Sequence, residues 1–298
     1  MAKPYRDFSD FLAEHFSGKI QKISVNAGFS CPNRDGTVGT GGCTYCNNQT
    51  FNPGYCLPAL GVAEQLEEGK RFFARKYPSM RFLAYFQAYT NTHADIDRLS
   101  RLYEEALAVD GIVGIIIGTR PDCMPDRLLD YLEALSARTF VMVEYGAESC
   151  HDSTLQLINR CHTWSQTVDA VNRTSARGIH VGLHMIMGLP GETTDMMLES
   201  VDALSALPID TVKFHQLQLV RGTRLARDVE EGLYDVPRMS VDDYINLCVA
   251  IVRRINPSVA IERFTSQSPE ELLIYPRWGL KNYQFVNLLE RRLRDAAR

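Results

Sequence analysis

The amino terminus, MAKPYRDFSDFLAEHF, lacks the unbroken apolar stretch that a signal peptide or a membrane span requires. No membrane association is expected, and the expected location is the cytoplasm. Positive charge is also short: the net charge is -4 and the pI is near 6.0, so there is no general attraction to nucleic acid. The one basic run, from Lys281 through Arg291, Arg292, Arg294 and Arg298, reads either as a local patch or as a solvated face complementing the dipole of its own helix. No linker rich in proline, glycine or serine divides the 298 residues, and there is no low-complexity segment or close repeat. One catalytic unit is expected, with residues 1–221 as its main body and 222–298 as an extension packed on it.

A chain expected in the cytoplasm also has little use for disulfides, so its eight cysteines point elsewhere. Cys31, Cys43 and Cys46 fall together, Cys56 follows, and Cys123, Cys150, Cys161 and Cys248 are scattered. In CPNRDGTVGTGGCTYC eleven residues separate the first two cysteines and two separate the second pair. The glycines between them let the backbone wrap closely round a bulky centre. Three thiolates on a four-iron cluster leave one iron open to a substrate or cofactor. The competing reading is a closed zinc site with Cys56 as fourth ligand, although zinc ribbons usually pair two short knuckles and only one is present. Phe51, Pro53 and Tyr55 suggest instead an ordered loop in which Cys56 is packed.

From about residue 20, short apolar runs alternate with longer amphipathic ones, as in parallel strands joined by helices. The expected strands are KISVNAG, RFLAYFQA, VGIIIGTR, FVMVEYGA, HVGLHMIMG and TVKFHQLQL. Helices are expected near 62–76, 95–108, 125–137, 164–177 and 193–205. Pro78, Gly111, Gly114 and Gly178 punctuate the pattern. Six units describe an α/β fold, a partial (β/α)6 TIM-like barrel, and the last residues, including VAIERF, form a carboxy-terminal α/β extension. Barrel chemistry sits at the carboxyl ends of strands. Cys31, Gln87 to Asn91, Thr119, Arg120, Glu144, Glu148 and His184 all fall on or after a strand.

Lys213 and His215 alternate on the sixth strand, so their side chains share a face and are candidates for substrate contact or proton donation. Arg263 and Trp278 are candidates for closing the site. GLPGET lacks the lysine followed by serine or threonine of a phosphate loop; its glycines and proline shape a turn into a helix capped by Thr193 or Thr194. Met185, Met187, Met196 and Met197 around it read as core.

The cysteines, with Tyr45 before the third, resemble the radical S-adenosylmethionine (SAM) superfamily. The long first spacing resembles the branch that contains the elongator catalytic subunit, and most closely the bacterial YhcC/YtqA-type group. IGTRPD, VEYGAES, NRCHT and MGLPGET resemble motifs of that branch in the same order. The resemblance implies a [4Fe-4S] cluster on Cys31, Cys43 and Cys46, with SAM on the open iron, cleaved to a 5'-deoxyadenosyl radical by an electron from a donor such as flavodoxin or ferredoxin. It places Tyr45 near the adenine and Gln87, Tyr89 and Thr90 near the methionine amino group, although that loop lacks the glycine pair common there. Thr119, Arg120, Glu148, Arg160 and His184 match SAM-contacting positions. An ion network of Arg120 or Arg160 with Glu144 or Glu148, and a core role for His184, are the structural alternatives. No acetyltransferase segment is matched, so no acetyl-CoA chemistry is expected. For the substrate, the resemblance names the wobble uridine of tRNA; a small metabolite is the alternative, and a metal-stabilised interaction module without turnover is the third.

Overall fold

The computed structural model describes residues 3–50, 53–74 and 80–296; Phe51, Pro78, Arg298 and the end of the helix expected over 62–76 lie outside them. The strands are β1 (Ile20–Val25), β2 (Arg81–Phe86), β3 (Ile112–Thr119), β4 (Phe140–Glu148), β5 (His180–Met187), β6 (Thr211–Gln216), β7 (Leu219–Val220), β8 (Ala260–Arg263) and β9 (Leu273–Tyr275). The helices are α1 (Phe8–His15), α2 (Val62–Ala74), α3 (Ile96–Leu107), α4 (Asp126–Ser136), α5 (Asp152–Leu157), α6 (Trp164–Ser175), α7 (Thr194–Ser205), α8 (Arg224–Glu230), α9 (Val241–Arg254) and α10 (Asn282–Asp295).

Every ladder of the main sheet is parallel, in the order β1-β2-β3-β4-β5-β6-β8. The expected half-barrel is present, and VAIERF extends it: β8 pairs with β6 as a seventh parallel strand instead of lying apart. The first strand runs earlier than KISVNAG suggests, because the Asn26 amide donates to the Gln65 side chain, which ends the ladder. β7 and β9 form a separate antiparallel pair.

Helices cover the outer face. Their starts follow side-chain caps: Asp7, Thr163 and Ser240 form capping boxes with Asp10, Gln166 and Asp243, and Thr193, not Thr194, caps α7. Alternate strand residues such as Ile115, Ile117, Val141, Val143, Val181 and Leu183 are fully buried beneath those helices. The other alternation points inward, where a second cluster fills the base. It joins Leu83, Tyr85, Ile116, Met142 and Ala260 to Phe11 and Leu12 of α1.

The amino-terminal arm therefore plugs the barrel base. Asp7 bridges in parallel to Ile261, the Ile261 amide donates to the Arg6 carbonyl, and the Phe11 ring packs against Phe140 and His180. Phe11 is 1% exposed. Phe11→Ala should cost about 3–5 kcal/mol in equilibrium urea unfolding. A loss below about 1 kcal/mol would mean that the arm decorates the barrel without sealing it.

Candidate active site

At the carboxyl end of the sheet lies a cavity of about 220 Å³. Of the residues singled out from sequence, Cys31, Cys43, Tyr45, Cys46, Gln87, Tyr89, Thr90, Thr119, Arg120, Glu148, Arg160, His184 and His215 all line it, as does Arg263. Lys213 is not among its lining residues, and neither is Cys56.

The cysteine loop is held at both ends. The amides of Arg34 and Asp35 donate to the Cys31 carbonyl, and the Cys46 amide closes a turn onto Cys43. Gly41 and Gly42 take positive φ, 78° and 76°, so the chain folds back before Cys43. Asn159 then fastens the loop to the segment after α5, donating to the carbonyls of Thr40 and Gly42.

Three N–H donors surround two of the sulfurs. Asn33 Nδ2 and Arg160 Nη1 lie 3.6 and 3.5 Å from Cys43 Sγ, and Asn48 Nδ2 lies 3.6 Å from Cys46 Sγ. Hydrogen bonds to ligand sulfur are what iron-sulfur sites use to tune their centre. Among the described residues, no three His, Cys, Asp or Glu side chains converge closely enough to hold a single metal ion. Cys56 turns away, its Sγ donating to the Ser24 carbonyl at 2.9 Å, and burial pushes its thiol up to about 12.

The wall beside Cys43 carries unspent donors. Arg160 donates from Nη2 to the Gly146 carbonyl at 2.6 Å and lies 3.5 Å from Glu148, yet its buried Nε has no partner. Arg120 pairs bidentately with Asp122, not with Glu144 or Glu148, and leaves Nη1 unpaired. Glu148 and Tyr89 hold φ of 71° and 61°, a conformation side chains other than glycine adopt only when the surroundings enforce it. His162, missed from sequence, donates from Nε2 to the same Gly146 carbonyl at 3.3 Å; burial, then Arg160 and Arg120, bring its pKa down to about 3. A β-carbon at Gly146 would stand 2.6 Å from Arg160 Nη2 and 2.7 Å from Glu148 Oε1, so both side-chain ends would have to shift.

Beneath the cavity lies a charged layer that sequence reading left unassembled. Glu144, 1% exposed, accepts from Lys22 at 2.9 Å, from His184 Nε2 at 2.9 Å, and from Lys213. Glu262 accepts from Lys22 at 2.5 Å and approaches Lys213 at 3.3 Å. Lys213 also donates to the Tyr85 hydroxyl at 2.9 Å. Burial opposes ionisation of Glu144, but Lys213, Lys22 and the His184 hydrogen bond outweigh it and hold the carboxyl well below its ordinary value. Burial, partly offset by Glu144 and Glu262, brings Lys213 down to about 8. His184 thus belongs to this layer and reaches the cavity as well. The available signal was a titratable residue at an inward position on five different strands.

A parallel half-barrel with three cysteines on the loop after its first strand and a polar cavity at the strand ends defines a class, and the chain belongs to it: it is a member of the radical SAM superfamily. The model described as Radical SAM superfamily matches residues 33–204, and that of the Radical_SAM C-terminal domain matches 209–295. Among its relatives are "Uncharacterized protein YtqA" of Bacillus subtilis, 38% identical over 98% of this chain and 90% of that protein, and "Protein YhcC" of Escherichia coli, 34% identical over 97% and 92%. A tRNA uridine(34) acetyltransferase of Methanocaldococcus infernus is 27% identical over 137 residues, 43% of this chain and 25% of that protein. In solved structures, Methanocaldococcus infernus Elp3 shares the fold with a TM-score of 0.67 at 16% identity, over 95% of this chain and 64% of that one. The protein is therefore an enzyme whose cofactors are a [4Fe-4S] cluster and SAM, and it requires an electron donor. No described helix is long and apolar enough to cross a membrane.

Two variants test this geometry. Gly146→Ala should fold but bind SAM about tenfold more weakly in equilibrium dialysis, because Arg160 and Glu148 must both move. Glu144→Gln should destabilise by about 3–5 kcal/mol, since two ammonium groups lose their shared carboxylate. The Glu144 contribution is complete above the ordinary value of 4.5 and is lost as pH falls below it toward the depressed folded value. Chemical denaturation should thus show a flatter acid limb for Glu144→Gln than for the wild type; parallel limbs would contradict the assignment.

Proposed function

We propose that Cys31, Cys43 and Cys46 hold the cluster and that the chain generates a 5'-deoxyadenosyl radical which takes hydrogen from a small substrate inside the barrel. When bound, the cluster and SAM supply that radical from one donated electron, with methionine as the other product. The observation that carries the reading is the set of N–H donors around Cys43 and Cys46, in a cavity that Arg160 and Arg120 also line, each with one buried nitrogen unpaired.

The protein's own residues bind and orient. Arg160 and Arg120 offer charge to the cofactor's carboxylate, Glu148 would accept from one of its N–H or O–H groups, and Tyr45 packs beside the adenine. Gln87, Tyr89 and Thr90 approach its amino group, and Thr119 closes the strand end. His215 faces the substrate side. Lys213 acts through Tyr85, whose hydroxyl accepts from its ammonium and whose ring lines the cavity.

A second reading has the radical act on a wobble-uridine side chain in tRNA, supported by the likeness to tRNA uridine(34) acetyltransferase. The basic last helix gives it less support than its sequence suggests: Arg292 pairs with Asp242 at 2.8 Å and Arg294 with Glu290 at 3.3 Å. The small-substrate reading is therefore preferred.

Anaerobic reconstitution with iron and sulfide should give charge-transfer absorption that is lost in Cys31→Ala, Cys43→Ala and Cys46→Ala and kept in Cys56→Ala. The reduced wild-type enzyme should release 5'-deoxyadenosine from SAM; a stable one-zinc protein would reject the reading. Nucleoside mass spectrometry of tRNA from a deletion strain should show an unchanged profile, and loss of one modified uridine would favour the tRNA reading instead.

A further inference from the structure

A strand irregularity gives one cation an unusual position. Along β6 and β8, Thr211 lies opposite Ala260 and Val212 opposite Ile261, but Lys213 lies opposite Arg263, so Glu262 is an extra residue. In a regular strand, successive side chains point to opposite faces, and Arg263 would face the helices when Glu262 faces inward. The bulge turns both inward. Glu262 joins the charged layer beneath the cavity, and Arg263 stands in the cavity wall.

Arg263 makes no salt bridge among the described residues, and its Nε is buried without a partner. Its Nη2 lies 3.5 Å from His215 Nδ1 and 3.3 Å from Nε2. Contact that even-handed cannot follow the lone-pair direction of either ring nitrogen, and both distances exceed the usual range for an N–H donor. His215 also brings no negative charge: burial, then Arg263, hold its pKa well below the ordinary histidine value. Of the other arginines that line the cavity, Arg120 pairs with Asp122, Arg160 lies 3.5 Å from Glu148, and Arg34 donates to the Cys46 carbonyl on the cysteine side. A half-buried guanidinium with its donor fork unspent suits a planar or tetrahedral oxyanion.

We propose that Arg263, with the His215 ring beside it, forms an oxyanion subsite that takes a carboxylate or phosphate group of the substrate. The proposal rests on the reading that a substrate occupies this cavity, and it narrows that substrate to an anionic small molecule. Gln216 and Gln218 fix the adjoining wall, exchanging hydrogen bonds with Ser266 and Ser268 at 2.7–3.4 Å, so the subsite is built on held segments.

The test uses reconstituted holoenzyme with saturating SAM, which occupies the opposite wall, and calorimetric titration with inorganic phosphate and with propionate. One of the two should bind saturably, weakened about tenfold or more in Arg263→Gln and less in Arg263→Lys. Arg292→Gln, at the surface, should bind as wild type does. Preference for phosphate assigns a phosphorylated substrate and preference for propionate a carboxylic acid. Failure of both to bind, or equal affinity in Arg263→Gln, overturns the subsite. Should Arg263→Gln not fold, wild-type crystals soaked in selenate decide: an anomalous peak within hydrogen-bond distance of Arg263 supports the proposal, and its absence there overturns it. Release of 5'-deoxyadenosine by the wild type is scored separately. An enzyme that cleaves SAM but binds anions without Arg263 loses only the subsite, and one that binds them but cleaves no SAM loses only the radical reading.

Discussion

Glu144 is the interaction on which the rest depends. An open parallel sheet has two edges, and nothing in the hydrogen-bonding of β1 and β8 to their neighbours brings those edges together. Lys22 on β1 does so, reaching both Glu144 on β4 and Glu262 on β8, while Lys213 and His184 complete the set from β6 and β5. Buried charges of this kind are costly unless each is paired. Here alternating signs satisfy one another, and the curvature of the sheet follows from their closeness.

That layer also separates two environments. Below it, Phe11, Leu83, Ile116 and Met142 form an apolar plug. Above it, the inward positions become polar and the cavity begins. Generating a carbon radical requires water to be kept out and the reacting groups held still. A floor of paired charges over an apolar base closes the cavity from below.

The sequence made the cysteines legible because their ligands lie within sixteen residues and their spacing is itself the signal. The strands were legible for the same reason of locality: β3 and β5 are apolar runs bounded by glycine. Strand-end placement gathered Arg120, Glu148 and His184 round one cavity, and Arg160, singled out only through the family resemblance, lines it too. The ion layer was not legible, since its bonds join residues 122 and 240 positions apart, and no local pattern specifies them. Lys213 was read as a cavity residue on parity alone, but pairing with Glu144 holds it below the floor. Arg263 was rightly singled out for the site, but the one-residue bulge that turns it inward could not be read, because a backbone irregularity leaves no mark in side-chain alternation.

The bridge between the amino-terminal arm and β8 has a consequence for how the molecule is made. Lys22 meets its partner Glu262 across 240 positions, and Asp7 pairs beside it with Ile261. Contacts of such separation form late, because the whole intervening chain must be synthesised and closed first. During translation, the arm, the inward lysine and the cysteine loop wait together in an unfinished sheet with an open edge, the kind of intermediate that chaperones bind. Shortening the chain before residue 260 would therefore remove the closure of the barrel as well as its end.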